Sequence, residues 1–231
     1  MSSARDPGPI PPRWLHCPRK SNELIGGKFL AFKTPLDQRY DPQIEDCYRF
    51  GPEMIFAAMK SYKAKIGLWI DLTNTSRFYD RSFLQSMGCR YEKIKCRGHG
   101  ETPSQEQVDQ FIVMCKRFSE QNPLEIIGVH CTHGFNRTGF LIASYLIATE
   151  DWSPEAAMAS FTKARPPGIY KEHYIQELFS RYGDVTDAPA TPQLPDWCFE
   201  EDQERGVDED GNALEPKEEV EVFLSFLRYS F

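Results

Sequence analysis

One cysteine and one arginine stand six positions apart in the stretch His130-Cys131-Thr132-His133-Gly134-Phe135-Asn136-Arg137-Thr138-Gly139. Cysteine attacks as the thiolate, and a helix N-terminus or a neighbouring cation favours that form. Arginine offers a planar fork of N–H donors that grips two oxygens of a phosphoryl group, which lysine cannot do. Phosphoryl transfer asks mainly for positioning and for neutralisation of charge on those oxygens. Cys131 therefore reads as a nucleophile, and Arg137 as the clamp on the group it attacks. The Thr138 hydroxyl is placed to donate to the sulfur when it leaves in a second step.

That chemistry needs a particular junction. Residues 124–130 are short, apolar and partly β-branched, which predicts a buried strand. Residues 139–147 predict a buried helix. The loop between them, His130 through Gly139, can turn its backbone N–H groups towards an anion at the positive end of that helix. His130, Thr132, His133, Gly134, Phe135, Asn136 and Gly139 are thus expected to form a phosphate-binding loop.

The remaining pattern supplies the scaffold. Residues 29–33, 66–72 and 91–96 read as further strands, the last half-exposed, and residues 52–63, 81–86 and 172–182 as helices. Thr102-Pro103 is expected to open another helix, and Ser153-Pro154-Glu155 a further one. Strands alternating with helices predict an α/β fold with a central, mostly parallel sheet and helices on both faces. Ligands in such sheets sit at the carboxyl ends of strands, where Cys131 and Asp71 both fall.

Composition narrows the class. The chain has 231 residues, 40% hydrophobic and 13% aromatic, enough for a core. Its seven cysteines are scattered without a close pair, a pattern of reducing surroundings rather than of a disulfide framework. No metal-ligand spacing is present, and no apolar run is long enough to span a membrane. The net charge is −7, but residues 196–231 alone carry −9 and residues 1–195 carry +2. A mildly basic body fits an enzyme gripping an anionic end better than one coating a duplex, so DNA is not an expected partner. Residues 1–12 read as a flexible arm, 13–199 as the catalytic domain, and 200–231 as an acidic, disordered tail with a short apolar end.

The segment Cys131 to Arg137 resembles the signature loop of the cysteine-dependent phosphatase superfamily. The longer string, His130 to Gly139, is similar to that of the RNA 5'-triphosphatase domain of metazoan mRNA-capping enzymes. So are Pro11-Pro12-Arg13-Trp14-Leu15, Asp71-Leu72-Thr73-Asn74-Thr75-Ser76-Arg77-Phe78-Tyr79-Asp80, Gly98-His99-Gly100-Glu101, Ala164-Arg165-Pro166-Pro167-Gly168-Ile169-Tyr170-Lys171 and Leu194-Pro195-Asp196-Trp197-Cys198-Phe199. The resemblance implies a cysteine-phosphatase-like fold and metal-independent removal of the γ-phosphate from nascent pre-mRNA, the first step of cap formation. It also implies a role for Asp71 near the active site. Arg77, and Arg165 with Lys171 on either side of the rigid Pro166-Pro167-Gly168 turn, are read from the residues themselves as candidate contacts to the triphosphate or RNA. Its implied partners are 5'-triphosphate RNA, transcribing RNA polymerase II and other capping factors, in the nucleus.

Two departures matter. Many superfamily members carry a general-acid Asp on a loop upstream of the Cys. Here that region is Arg97-Gly98-His99-Gly100-Glu101-Thr102, where His99 or Glu101 would have to substitute. A β-phosphate leaves more easily than an alkoxide, so a missing acid suits a phosphoanhydride substrate. The chain also has no Lys-x-Asp-Gly motif of a guanylyltransferase. The alternatives are a dual-specificity-like protein phosphatase and a non-catalytic truncated isoform.

Overall fold

The computed structural model describes residues 6–98, 100–196 and 210–212. Four strands, β1 (Phe29–Lys33), β2 (Ile66–Asp71), β3 (Arg90–Lys93) and β4 (Ile126–Cys131), form one parallel sheet in the order β1-β4-β2-β3. Parallel neighbours need crossover connections. These are supplied by α1 (Pro52–Ser61), α2 (Ser82–Ser86) and α3 (Gln105–Gln121), while α4 (Asn136–Glu150), α5 (Pro154–Ala164) and α6 (Glu172–Tyr182) follow β4.

Strand alternation divides the core in two. Phe29, Ala31, Leu68, Ile70, Ile127 and Val129 point to the face covered by α3 through α6. Leu30, Phe32, Ile66, Trp69 and Ile126 point to the other, covered by α1 and α2. The expected fold is thus observed, with all four strands parallel. Every residue of β4 is buried, as its unbroken apolar run requires of a central strand. Gly128 within it faces Phe32, whose ring carbon would lie 3.0 Å from an added Cβ.

Helix boundaries show where local chemistry decides. The helix expected to open at Thr102-Pro103 begins instead at Gln105. Ser104 caps it, accepting from Gln107 N–H, while the Gln107 side chain accepts from Ser104 N–H. This reciprocal pair satisfies two orphan donors, which a proline at the first position does not. Ser153 caps α5 with Pro154 behind it, and α6 stops at Gly183, both as expected.

The segment before β1 is strapped across the sheet's end. Trp14 Nε1–H donates to the Thr34 carbonyl at 2.8 Å. The buried Lys33 ammonium donates to the Trp14 carbonyl at 2.8 Å and lies 3.7 Å from the Trp14 ring centre. Burial pushes its pKa down to about 7. No helix among the described residues is long and apolar enough to cross a membrane.

Candidate active site

Cys131 ends β4, and five residues later, at Asn136, α4 begins. Register places Cys131 beside Lys33 and His130 beside Asp71, so the nucleophile sits at the carboxyl edge of the sheet between two buried strands. The loop that follows is held from outside. The Thr132 carbonyl accepts from Thr34 N–H at 2.9 Å, and the Phe135 carbonyl from Gly139 N–H at 2.6 Å. Arg165 takes the other two, donating to the carbonyls of His133 at 2.8 Å and Gly134 at 2.7 Å. Four successive loop carbonyls are thus engaged, an arrangement that suits a nest of amides facing an anion. One of them, Gly134 N–H, donates to Cys131 Sγ at 3.2 Å. Gly134 has φ +73°, and a Cβ there would meet the Phe32 carbonyl oxygen at 2.2 Å, so only glycine fits.

Arg137 is buried on the first turn of α4. Its Nη1 donates to the Cys96 carbonyl at 3.0 Å, and its Nη2 to Thr132 Oγ1 at 3.0 Å. The same two nitrogens reach the two carboxylate oxygens of Asp210, at 3.3 Å and 3.0 Å. The fork expected of Arg137 is therefore formed around an oxyanion. Thr138 is fully buried, and its hydroxyl makes no hydrogen bond among the described residues.

The other loop residues act on the loop itself. Asn136 Oδ1 accepts from the N–H groups of Tyr170 and Lys171, at 2.9 and 3.0 Å, tying the 166–171 turn to the loop. Phe135 packs beneath Arg165, whose guanidinium carbon is 4.3 Å from its ring centre. His133 Nε2 pairs with the Pro12 carbonyl at 2.6 Å. Gly139 lets α5 approach: an added Cβ would lie 2.7 Å from Phe161 and Ile169.

Asp71 is a hub rather than an acid. Its carboxylate accepts four hydrogen bonds: two from Thr73 and one each from Tyr91 and Lys93. Burial alone would raise its pKa, but the charges of His130 and Lys93 and the hydrogen bonds of Lys93 and Thr73 hold it below the usual carboxylate range. A carboxylate so engaged has no proton to give. Burial lowers the His130 pKa to about 4, despite the opposing pull of Asp71, so the ring is neutral at pH 7. Its Nδ1 lies 3.2 Å from the Cys131 carbonyl and its Nε2 2.7 Å from the Tyr79 hydroxyl. A carbonyl only accepts, so the proton is assigned to Nδ1 and Tyr79 donates to Nε2.

Of the two cations that flank the Pro166-Pro167-Gly168 turn, Arg165 binds the loop itself. Arg165 is spent on the outer side of the loop, and the Lys171 backbone caps α6. Arg77 does approach. Its Nη1 donates to the Pro7 and Pro9 carbonyls at 3.0 and 2.8 Å, and its Nη2 to the Asp210 carbonyl at 2.8 Å. Residues 6–12, assigned from the sequence to a flexible arm, are thus joined to the site. Of the substitute acids, Glu101 is exposed with its carbonyl held by the Tyr174 hydroxyl at 2.8 Å, and His99 lies outside the described residues.

Sequence reasoning missed Lys93, Asn74 and Asp210. Lys93 ends a strand and pairs in register with Asp71, so only the strand order reveals it. Asn74 contributes its backbone N–H, which no side-chain pattern announces. Asp210 stands in the acidic run, where Asp210-Gly211 was the one available turn signal. No group of metal-ligating side chains occurs among the described residues.

Residues 52–183 match the family described as dual specificity phosphatase, catalytic domain. The chain belongs to that family. It is 57% identical to the mRNA-capping enzyme of Danio rerio over 194 residues, which cover 84% of this chain but 32% of that enzyme. It therefore spans about a third of the length of that relative. It is also 35% identical to the RNA/RNP complex-1-interacting phosphatase homolog of Caenorhabditis elegans, covering 74% of this chain and 75% of that one. Among solved structures, PTPMT1 superposes with a TM-score of 0.54 at 16% identity, over 71% of this chain and 95% of that one, a likeness of fold.

Proposed function

We propose that this chain is a metal-independent RNA 5'-triphosphatase that removes the γ-phosphate from 5'-triphosphate RNA. The observation that carries the reading is the complete Cys131–Arg137 cradle, set in a chain 57% identical to the corresponding third of a capping enzyme. Cys131 Sγ attacks the γ-phosphorus; the S–P bond forms as the bond to the β-phosphate oxygen breaks. Arg137 and the loop amides hold the equatorial oxygens, and the RNA leaves as a 5'-diphosphate. Water then attacks the phosphocysteine, releasing phosphate and restoring the thiolate. The neutral His130 and the engaged Asp71 offer no proton to the leaving group, which suits departure of a β-phosphate. Arg77 and Asn74 N–H stand where the more distal charge of the substrate would be met. The proposal carries with it a nuclear role beside transcribing RNA polymerase II and other capping factors.

Release of labelled γ-phosphate from triphosphate-ended RNA, in excess chelator, tests the reading. Wild-type protein should release it, and Cys131→Ser should not. Loss of activity in chelator, or turnover by Cys131→Ser, would remove the mechanism. The family match gives a protein-phosphatase reading its one foothold. A phosphotyrosine peptide assayed beside the RNA separates the two.

A further inference from the structure

Asp210 lies more than seventy residues in sequence from Arg137, Thr132, Arg77 and Asn74, which it contacts, yet it is 1% exposed. Its two carboxylate oxygens take the paired Arg137 donors at 3.0 and 3.3 Å. Thr132 Oγ1 donates to Oδ1, and Asn74 N–H donates to Oδ2 at 2.7 Å. Arg77 clamps the backbone of the same residue through its carbonyl. Gly211 completes the turn with φ +72°, and a Cβ there would lie 2.6 Å from Arg77 Nη2. Burial alone would raise the Asp210 pKa, but Arg137, aided by Thr132 and Asn74, holds it low, so the group is an anion.

We propose that Asp210-Gly211 is an intrachain pseudosubstrate, whose carboxylate occupies the phosphoryl-binding fork of Arg137 and whose turn closes the site until a phosphate displaces it. A carboxylate matches the guanidinium fork in the same two-oxygen geometry as a phosphoryl group. It carries one charge where a terminal phosphate carries more, and it has no atom that Cys131 can attack with a good leaving group. It can therefore hold the cradle without reacting. Displacement frees Arg137, Thr132 Oγ1, Asn74 N–H and Arg77 Nη2 together, so a polyphosphate end, which can use all four, competes better than a single weak anion. The apparent affinity for any phosphate falls by the fraction of molecules left open. The inference rests on the reading of the loop as a phosphate cradle, and not on RNA being the substrate.

The test uses the full chain and two readouts that need no RNA: the rate at which iodoacetate alkylates Cys131, followed on its peptide by mass spectrometry, and the affinity for inorganic phosphate by calorimetry. Asp210→Asn should raise both on the order of tenfold, as expected if about one molecule in ten is open. Gly211→Ala keeps the carboxylate but strains the turn, and it should act in the same direction. Asp202→Asn, equal in net charge, should change neither. Equal alkylation rates in wild type, Asp210→Asn and Gly211→Ala would overturn the inference, even if RNA turnover is normal. A raised rate in both variants without any RNA turnover would instead uphold it and sink the proposed substrate.

Discussion

Cys131, the proposed nucleophile, gains its setting from residues that hold its loop through the backbone carbonyls. Arg165 engages two loop carbonyls, Thr34 a third, and the first turn of α4 the fourth, and this fixes the path of the loop around Cys131. Thr138 contributes a buried hydroxyl with no hydrogen bond among the described residues. Such a group costs free energy unless it serves a transient partner. On the proposed mechanism, that partner is the departing Cys131 thiolate. Thr138→Val keeps the shape and removes the donor. It should leave stability within about 1 kcal/mol of wild type, because no native hydrogen bond is lost. Turnover should fall while the phosphocysteine accumulates, seen as a burst of diphosphate RNA followed by slow steady state. Equal slowing of the burst and the steady state would place Thr138 in the first step instead.

Between elements, the decisive contact is the one that joins β3 to the loop after β2. Lys93 donates to Asp71 Oδ2 at 2.9 Å and to Thr73 Oγ1 at 2.8 Å, and it also bonds the Thr75 carbonyl. This shapes the 73–75 turn that presents Asn74 N–H to the site. The Lys93 side chain is 15% exposed and that of Asp71 3%, so the pair is shielded from water. Removing one partner of such a pair leaves a buried charge, at a cost of about 3–5 kcal/mol. Lys93→Met should lose that much in denaturant unfolding. With the turn loosened, KM for triphosphate RNA should rise more than kcat falls. A KM unchanged in a variant destabilised to this degree would show that the turn does not bind substrate. The sequence could not announce this device. Strand β3 alternates and looks half-exposed, and Lys93 resembles any solvated strand lysine until the order β1-β4-β2-β3 sets it beside Asp71. The Cys131 loop, by contrast, was legible because its chemistry is local: strand, glycine turn and helix follow one another within a single stretch. So were the strands, whose apolar runs are long relative to their neighbours. The start of α3 was misjudged because a proline competes on paper with a capping serine, and the serine satisfies more donors. The roles of Arg165 and Asp210 depend on contacts across the fold, which spacing does not carry.

At the scale of the molecule, the site and the core share their titrating groups, so acid should act on stability before it acts on any single step. His130 is fully buried at the end of the central strand, with its pKa lowered from 6.5 to about 4. As pH falls below 6.5, the unfolded chain takes up a proton at this position while the folded chain does not. The unfolded state then binds more protons, and stability drops with falling pH. The loss runs from about pH 6.5 to about 4, and at 1.36 kcal/mol per unit it amounts to about 3 kcal/mol for this residue. Asp71 and Asp210, both held below the ordinary carboxylate range, add their loss only below that range, when protonation breaks their bonds to Lys93 and Arg137. Two acid windows should therefore separate: an upper one owned by His130 and a lower one owned by the carboxylates. Thermal melting of wild type from pH 7.5 down to about pH 2 should show both. His130→Asn, which retains an N–H for the Cys131 carbonyl and cannot titrate, should start from a lower melting temperature and remain flat between pH 6.5 and 4. If that variant keeps the wild-type slope across the upper window, the buried histidine is not the group that takes up the proton.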